Sequence, residues 1–300
     1  MAVMSNPPDP NFRKPALVCA EGAWDCHIHL FGPKPAYGLV SDAAYDTPDA
    51  LPQTYIALQK ALGLEHAVIV QTMVQGHDHS RLLDALRQHP GRFRGIAVPA
   101  GDVSDAQLEE MDRLGVRGIR VVVSTGLAGV GAPADAGLDR RLIARVSELG
   151  WHVQVVAGGE HLLQLKDLLP ALPTEVVIDH AGLPRVELGV NHPHFQVVLE
   201  LLDTGRCWVK LSAPMRFSAR RRLPYDDTLP FYRELVRRAP ERLVWGSDWP
   251  HVAYTEGVMP NDADLLDLLL DWAPDAALRR RILVENPSRL YGRFKESSKL

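Results

Sequence analysis

The sequence predicts an α/β fold, a single (β/α)8 TIM barrel, regular or somewhat distorted. Three observations carry this. Apolar runs of strand length alternate with segments of helical spacing, and strict alternation implies a parallel sheet. The alternation reaches eight strand–helix units with no composition break or linker between them, and eight units in one chain favour closure into a barrel. The runs are near-continuously apolar, as at 67–70 and 118–123, which marks strands buried on both faces. An open doubly wound sheet is the alternative. No Gly-x-Gly-x-x-Gly follows the first strand, so the dinucleotide-binding version loses its main support.

Taken in order, residues 1–21 are Pro-rich and polar and predict an arm with little regular structure, packed across the bottom of the barrel or against a partner subunit. The barrel is expected over 22–292 and a short tail over 293–300. The first strand ends in His27-Ile28-His29 before a Gly-Pro break. Residues 32–50, rich in Pro, Gly and Asp and carrying Tyr37 and Tyr45, form a long loop where a substrate lid would sit. The remaining strands are expected at 67–72, 93–99, 118–123, 152–156, 175–180, 207–212 and 243–248. Helices are expected at 51–63, 80–88, 105–115, with Ser104 as N-cap, then 138–150, 160–169, 194–204, 229–238, 262–272 and 275–284. A Gly-rich loop spans 124–137.

The bulk properties narrow the function. The chain has 300 residues, 46% hydrophobic and 23% charged, with a formal net charge of −4. That is ordinary for a globular protein and gives no hint of nucleic-acid binding. Three cysteines, Cys19, Cys26 and Cys207, form no CxxC pair, which fits a reducing cytoplasm better than a disulfide framework. No signal-peptide pattern and no membrane-length apolar run is visible. A homo-oligomer is left open.

Residues two apart on a strand share a face, so His27 and His29 point the same way. In a barrel of this type the site lies at the C-terminal strand ends. Those ends carry His27 and His29, Gln71 and Thr72, Arg120, His180, Ser212 with Arg216 just beyond, and Asp248. Any one of them reads equally as a structural cap or a packed polar side chain; their coincidence at one rim does not. Asp248 can serve as a general base on water. Arg120 and Arg216 suit a substrate carboxylate, or else an internal salt bridge, for Arg120 to Asp25 or Asp179. The loop histidines His77, His79, His192, His194 and His251 read as mostly surface residues.

These motifs, namely the His-x-His strand, Ile178-Asp179-His180-Ala181-Gly182, Val244 to His251, Gly115 to Arg120 and Val284 to Gly292, resemble the amidohydrolase superfamily. More narrowly they resemble its amidohydrolase 2 branch, which includes 2-pyrone-4,6-dicarboxylate lactonase and related sugar-lactone hydrolases. The resemblance runs from about residue 22 to 292. It implies that His27, His29 and His180 polarise a lactone carbonyl, that Asp248 activates water, and that Arg120 and Arg216 hold substrate carboxylates. Thr72 falls near a position of a substrate-binding hydroxyl, and Tyr45 lies in the lid loop. Two features of the lactonase are missing: an arginine in the loop after Arg120, which here reads Ser124 to Gly129, and a tyrosine near the end of strand 5, here Val155-Val156-Ala157. A lactone with fewer acidic groups is therefore expected.

Metal-dependent members of the superfamily add a histidine at the end of strand 5. Here His152 stands at the start of that strand, so the expectation is hydrolysis with no required cofactor. A single zinc held by His27, His29, His180 and Asp248 is the alternative. The function expected is a hydrolase opening a carboxylated lactone. A zinc-dependent amidohydrolase or decarboxylase, a lactone isomerase on the same residues, and an inactive barrel that binds a small acid are the competing readings.

Overall fold

The structure is a computed structural model and describes residues 2–123, 137–255 and 257–294. Eight parallel strands surround a common axis: β1 Trp24–Ile28, β2 His66–Val70, β3 Phe93–Ala97, β4 Val116–Val122, β5 His152–Val156, β6 Val176–Ile178, β7 Cys207–Ser212 and β8 Leu243–Gly246. Each pairs with the next in sequence order, as a (β/α)8 barrel requires. The expected Gly-rich loop lies outside the described residues apart from Gly137, and so does the tail beyond residue 294. Among the described residues no helix is long and apolar enough to cross a membrane.

The seam between β8 and β1 is closed by polar groups rather than by a full ladder. Asp248 N donates to His27 O at 2.9 Å and His29 N to Trp249 O at 2.8 Å. The buried Asp25 carboxylate accepts from Ser247 N at 2.9 Å and from the Tyr55 hydroxyl at 3.0 Å. Gly246 makes this approach possible: a Cβ there would lie 2.6 Å from the Cβ of His27.

Inside the barrel, Trp24, Cys26, Val68, Val70, Ile96, Val177, Trp208 and Val244 pack with Tyr291 into a separate apolar floor. Trp24 and Cys26 face inward with it. A register shift between Asp25 and Ile28 then exchanges the inward side, so that His27 and His29 turn to the axis and Ile28 joins the outer core.

The amino-terminal arm departs from expectation. It does not lie across the bottom. Val3–Met4 pair with Tyr45–Asp46 of the lid loop at the rim, and Ala253 N donates to Ser5 Oγ at 2.9 Å. The arm then descends the outer wall, where Asn261 Nδ2 donates to Asp9 and the amides of Ala16 and Leu17 donate to Asp267. Pairing with the lid satisfies backbone groups that a Pro-rich arm on the floor would leave open.

Candidate active site

The functional side chains stand just past the last ladder bonds. His29 follows β1, His180 lies two residues after β6 and Asp248 two after β8. Strands were expected to run through His180 and Asp248, but these residues adopt φ of 52° and 67°. A non-glycine residue is strained there, and the turn it makes aims the side chain over the barrel mouth.

His27, His29, His180 and Asp248 are all buried and converge. Asp248 Oδ1 lies 3.6 Å from His27 Nε2, 3.4 Å from His29 Nε2 and 3.9 Å from His180 Nε2. Yet Asp248 Oδ1 and His27 Nε2 have no hydrogen-bond partner. Open atoms of this kind, gathered at one point, can take a water, an ion or a substrate atom. The other carboxylate oxygen, Oδ2, accepts from Arg216 Nε at 2.8 Å, with Arg216 Nη2 at 2.7 Å.

The electrostatics separate acid from base. Burial alone would raise the pKa of Asp248, but the Arg216 guanidinium leads the opposing influences, and the carboxyl is held well below its usual range. Burial pushes His27 and His29 down, and His180 down to about 4. At neutral pH the site is one carboxylate among three neutral imidazoles.

The tautomer of His29 follows from one contact. Its Nδ1 is 2.7 Å from Val70 O. A carbonyl only accepts, so Nδ1 carries the proton and Nε2 presents a lone pair. In this tautomer His29 offers an acceptor, not a donor, at Nε2. His29 Nε2 and Asp248 Oδ1 are two acceptors facing one another, an arrangement suited to the two protons of a water molecule. His180 Nδ1 is anchored on Ser212 Oγ at 2.9 Å.

A cavity of about 350 Å³ opens above these groups, lined by His29, His180, Asp42, Tyr45, Arg120 and Arg216 on its polar side. Val122 and Val156, paired in register, with Leu183 and Val252 make the apolar side. Arg120 reaches Asp179 Oδ2 at 3.6 Å and donates to Gln71 O at 3.4 Å, while its Nε is unpartnered. Arg120 is thus paired with Asp179 and also lines the cavity. Tyr45 is buried, and its phenol pKa is raised by burial against the opposing influence of Arg120 and Thr72. Thr72 is not among the residues lining the cavity. Its hydroxyl donates to Gln75 Oε1 at 3.1 Å, closing a local turn.

Sequence reasoning missed Lys210. It is fully buried on β7 and bonds to Cys26 O at 2.9 Å and Gln154 Oε1 at 2.7 Å. Its signal was available: it sits two residues before Ser212, hence on the inward face of an otherwise apolar strand. His79 and His251, expected at the surface, are buried, and His251 Nε2 lies 3.2 Å from Asp262.

Comparison with known proteins fits this geometry. The family model described as "Amidohydrolase" matches residues 24–293. The chain belongs to the amidohydrolase family. It is 39% identical over 277 residues to the 4-sulfomuconolactone hydrolase of Hydrogenophaga intermedia, covering 92% of this chain and 90% of that one. It is 35% identical over 295 residues to the 2-pyrone-4,6-dicarboxylate hydrolase of Comamonas testosteroni, covering 96% and 94%. A crystal structure of a probable 2-pyrone-4,6-dicarboxylic acid hydrolase from Acinetobacter baumannii with citric acid bound superposes with a TM-score of 0.77 at 27% identity, covering 90% of this chain and 99% of that one.

The donor atoms of His27, His180 and Asp248 all lie within 4.8 Å of one another. Imidazole and carboxylate suit a divalent ion such as zinc, and the unpartnered His27 Nε2 and Asp248 Oδ1 are among these atoms. The residues present fit a single ion provided that His27 turns a lone pair at Nε2 toward it, with the His29 lone pair as a fourth donor. Such an ion, when bound, would act as a Lewis acid on a carbonyl or a water.

Proposed function

We propose that this amidohydrolase-family enzyme hydrolyses a small lactone bearing a carboxylate or a similar anionic group. The observation that carries the reading is the open oxygen of Asp248, buried and unpartnered between three imidazoles, beneath a cavity lined by His29, His180, Arg120 and Arg216.

Arg120 and Arg216 supply the only arginine donors among the described lining residues and anchor the anionic substituent. Water sits against Asp248 Oδ1 and His29 Nε2, oriented by two acceptors. Asp248 takes its proton as it attacks the lactone carbonyl. His27 and His180 polarise the carbonyl oxygen and stabilise the oxyanion. The ring C–O bond then breaks, and the proton held by Asp248 passes to the leaving alkoxide or enolate oxygen. These residues suffice for hydrolysis without a required cofactor.

The pair Val122 and Val156 gives the cavity an apolar wall where a second carboxylate would find no donor among the described residues. A lactone with fewer acidic groups than a pyrone dicarboxylate fits this wall. The homologues' names support a small anionic lactone as substrate, and the amino acids lining the cavity favour the less charged end of that range.

A panel of monoanionic and dianionic lactones, followed by acid release and by NMR of the product, tests the reading. Ring-opened acid from a monoanionic lactone is the expected result. A rearranged lactone without acid release would favour isomerisation. No reaction with any lactone, alongside thermal stabilisation by small carboxylic acids, would favour an inactive binding barrel.

A further inference from the structure

Lys210 lies directly beneath the site, and the steps above do not use it. Its Nζ has four neighbours: Cys26 O at 2.9 Å, Gln154 Oε1 at 2.7 Å, His27 Nδ1 at 3.3 Å and Asp179 Oδ1 at 3.5 Å. They stand on β1, β5 and the end of β6, so one buried side chain ties three strands to β7. A buried ammonium requires a counter-charge, and the Asp179 carboxylate, shared with Arg120, supplies it.

An ammonium has three protons and no lone pair, so it only donates. The Cys26 carbonyl and the Gln154 amide oxygen take two of them. The third has His27 Nδ1 and Asp179 Oδ1 before it. We propose that Lys210 is a positioning residue that donates to His27 Nδ1 and thereby fixes His27 as the tautomer with its proton on Nε2.

The two histidines of the pair are then opposite in kind. His29 gives its Nδ1 proton to Val70 O and turns a lone pair to the cavity. His27 receives at Nδ1 and turns an N–H upward, on the side of Asp248 Oδ1. The first accepts from water; the second donates to the carbonyl oxygen. The other tautomer of His27 also has a partner built for it. Asp179 Oδ1 lies 3.4 Å from Nδ1 and has no hydrogen-bond partner of its own. Without Lys210 the ring would donate to Asp179 and present a lone pair upward, reversing its role.

The consequence for turnover rests on the hydrolytic reading; the tautomer does not. The test is side-chain 15N NMR of histidine-labelled full-length protein, with kcat and KM on a lactone accepted in the panel, for wild type and Lys210→Met. The expected wild-type spectrum has His27 protonated at Nε2 and His29 at Nδ1. In Lys210→Met, His27 moves to the Nδ1–H form and kcat falls by about 10- to 100-fold with KM unchanged. Wild-type His27 protonated at Nδ1, or a variant with unchanged tautomer and unchanged kcat, overturns the proposal. The wild-type spectrum alone still decides it if the variant does not fold. If no lactone is turned over, the hydrolytic reading fails while the spectrum still reports on Lys210.

Discussion

Arg216 holds one oxygen of Asp248 and leaves the other open: Nε and Nη2 both meet Oδ2, at 2.8 and 2.7 Å, while Oδ1 faces the imidazoles without a partner. The guanidinium also lines the cavity. In the proposed mechanism it does two things at once, aiming the base and offering its remaining donors to an anionic substrate.

Replacing Arg216 separates these roles. With Arg216→Gln, burial is no longer opposed by the guanidinium and the Asp248 pKa rises. Asp248 must be ionised to act, so the acid limb of the kcat/KM profile moves to higher pH. The expected loss at neutral pH is about 10- to 100-fold. A pH–rate profile with an unmoved acid limb would remove Arg216 from the control of Asp248.

The arm at the rim ties two loops that line the cavity. Val3–Met4 pair with the strand that carries Tyr45, and Ser5 Oγ holds the amide of Ala253. Deleting residues 2–6 releases both loops while leaving the barrel core intact. KM is expected to rise several-fold, with the melting temperature lowered by only a few degrees, on the order of 1 kcal/mol. Steady-state kinetics beside a thermal melt check this. Unchanged KM would make the strap irrelevant to the site.

Most of the barrel was legible because strands buried on both faces read as continuous apolar runs, and because parallel strands and helices alternate. The convergence of His27, His29, His180 and Asp248 was legible for the related reason that a barrel brings one set of strand ends together. Other features were hidden for physical reasons. The arm's pairing joins Val3 to Tyr45 through two residues of ladder, far too little periodicity to detect. The opposite tautomers depend on Val70 O and Lys210, neither of which a motif marks. Thr72 bonds to Gln75 three positions on, in a turn, and also meets Tyr45 of the lid loop, so it stands behind the lining rather than in it.

Stability should fall in acid. His152 is buried at the start of β5, and desolvation, then the charge of Lys210, push its pKa down to about 3. The ordinary value is 6.5, so between pH 6.5 and about 3 the unfolded chain binds the proton and the folded one does not. Stability is full above pH 6.5 and is lost as pH falls through this window. The buried Asp25, raised to about 6 from 3.8, acts in the opposite sense between those two values. His152→Gln is expected to flatten the decline by a few kcal/mol at most, read from denaturant melts at pH 7, 5 and 4. An unchanged slope would assign the acid sensitivity elsewhere.

The metal alternative yields to one paired measurement. Protein treated with chelator, shown by elemental analysis to be metal-free, is expected to keep turning over its lactone. Loss of activity that returns with about one equivalent of zinc would place an ion between His27, His180 and Asp248.

The central claim is that the open oxygen of Asp248 is the base for water. Asp248→Asn keeps the shape of the side chain and removes its charge. Its kcat on the best lactone of the panel, measured on protein whose circular dichroism matches wild type, is the most direct test. A loss of about 10²- to 10⁴-fold is expected. Turnover near the wild-type rate would contradict the assignment.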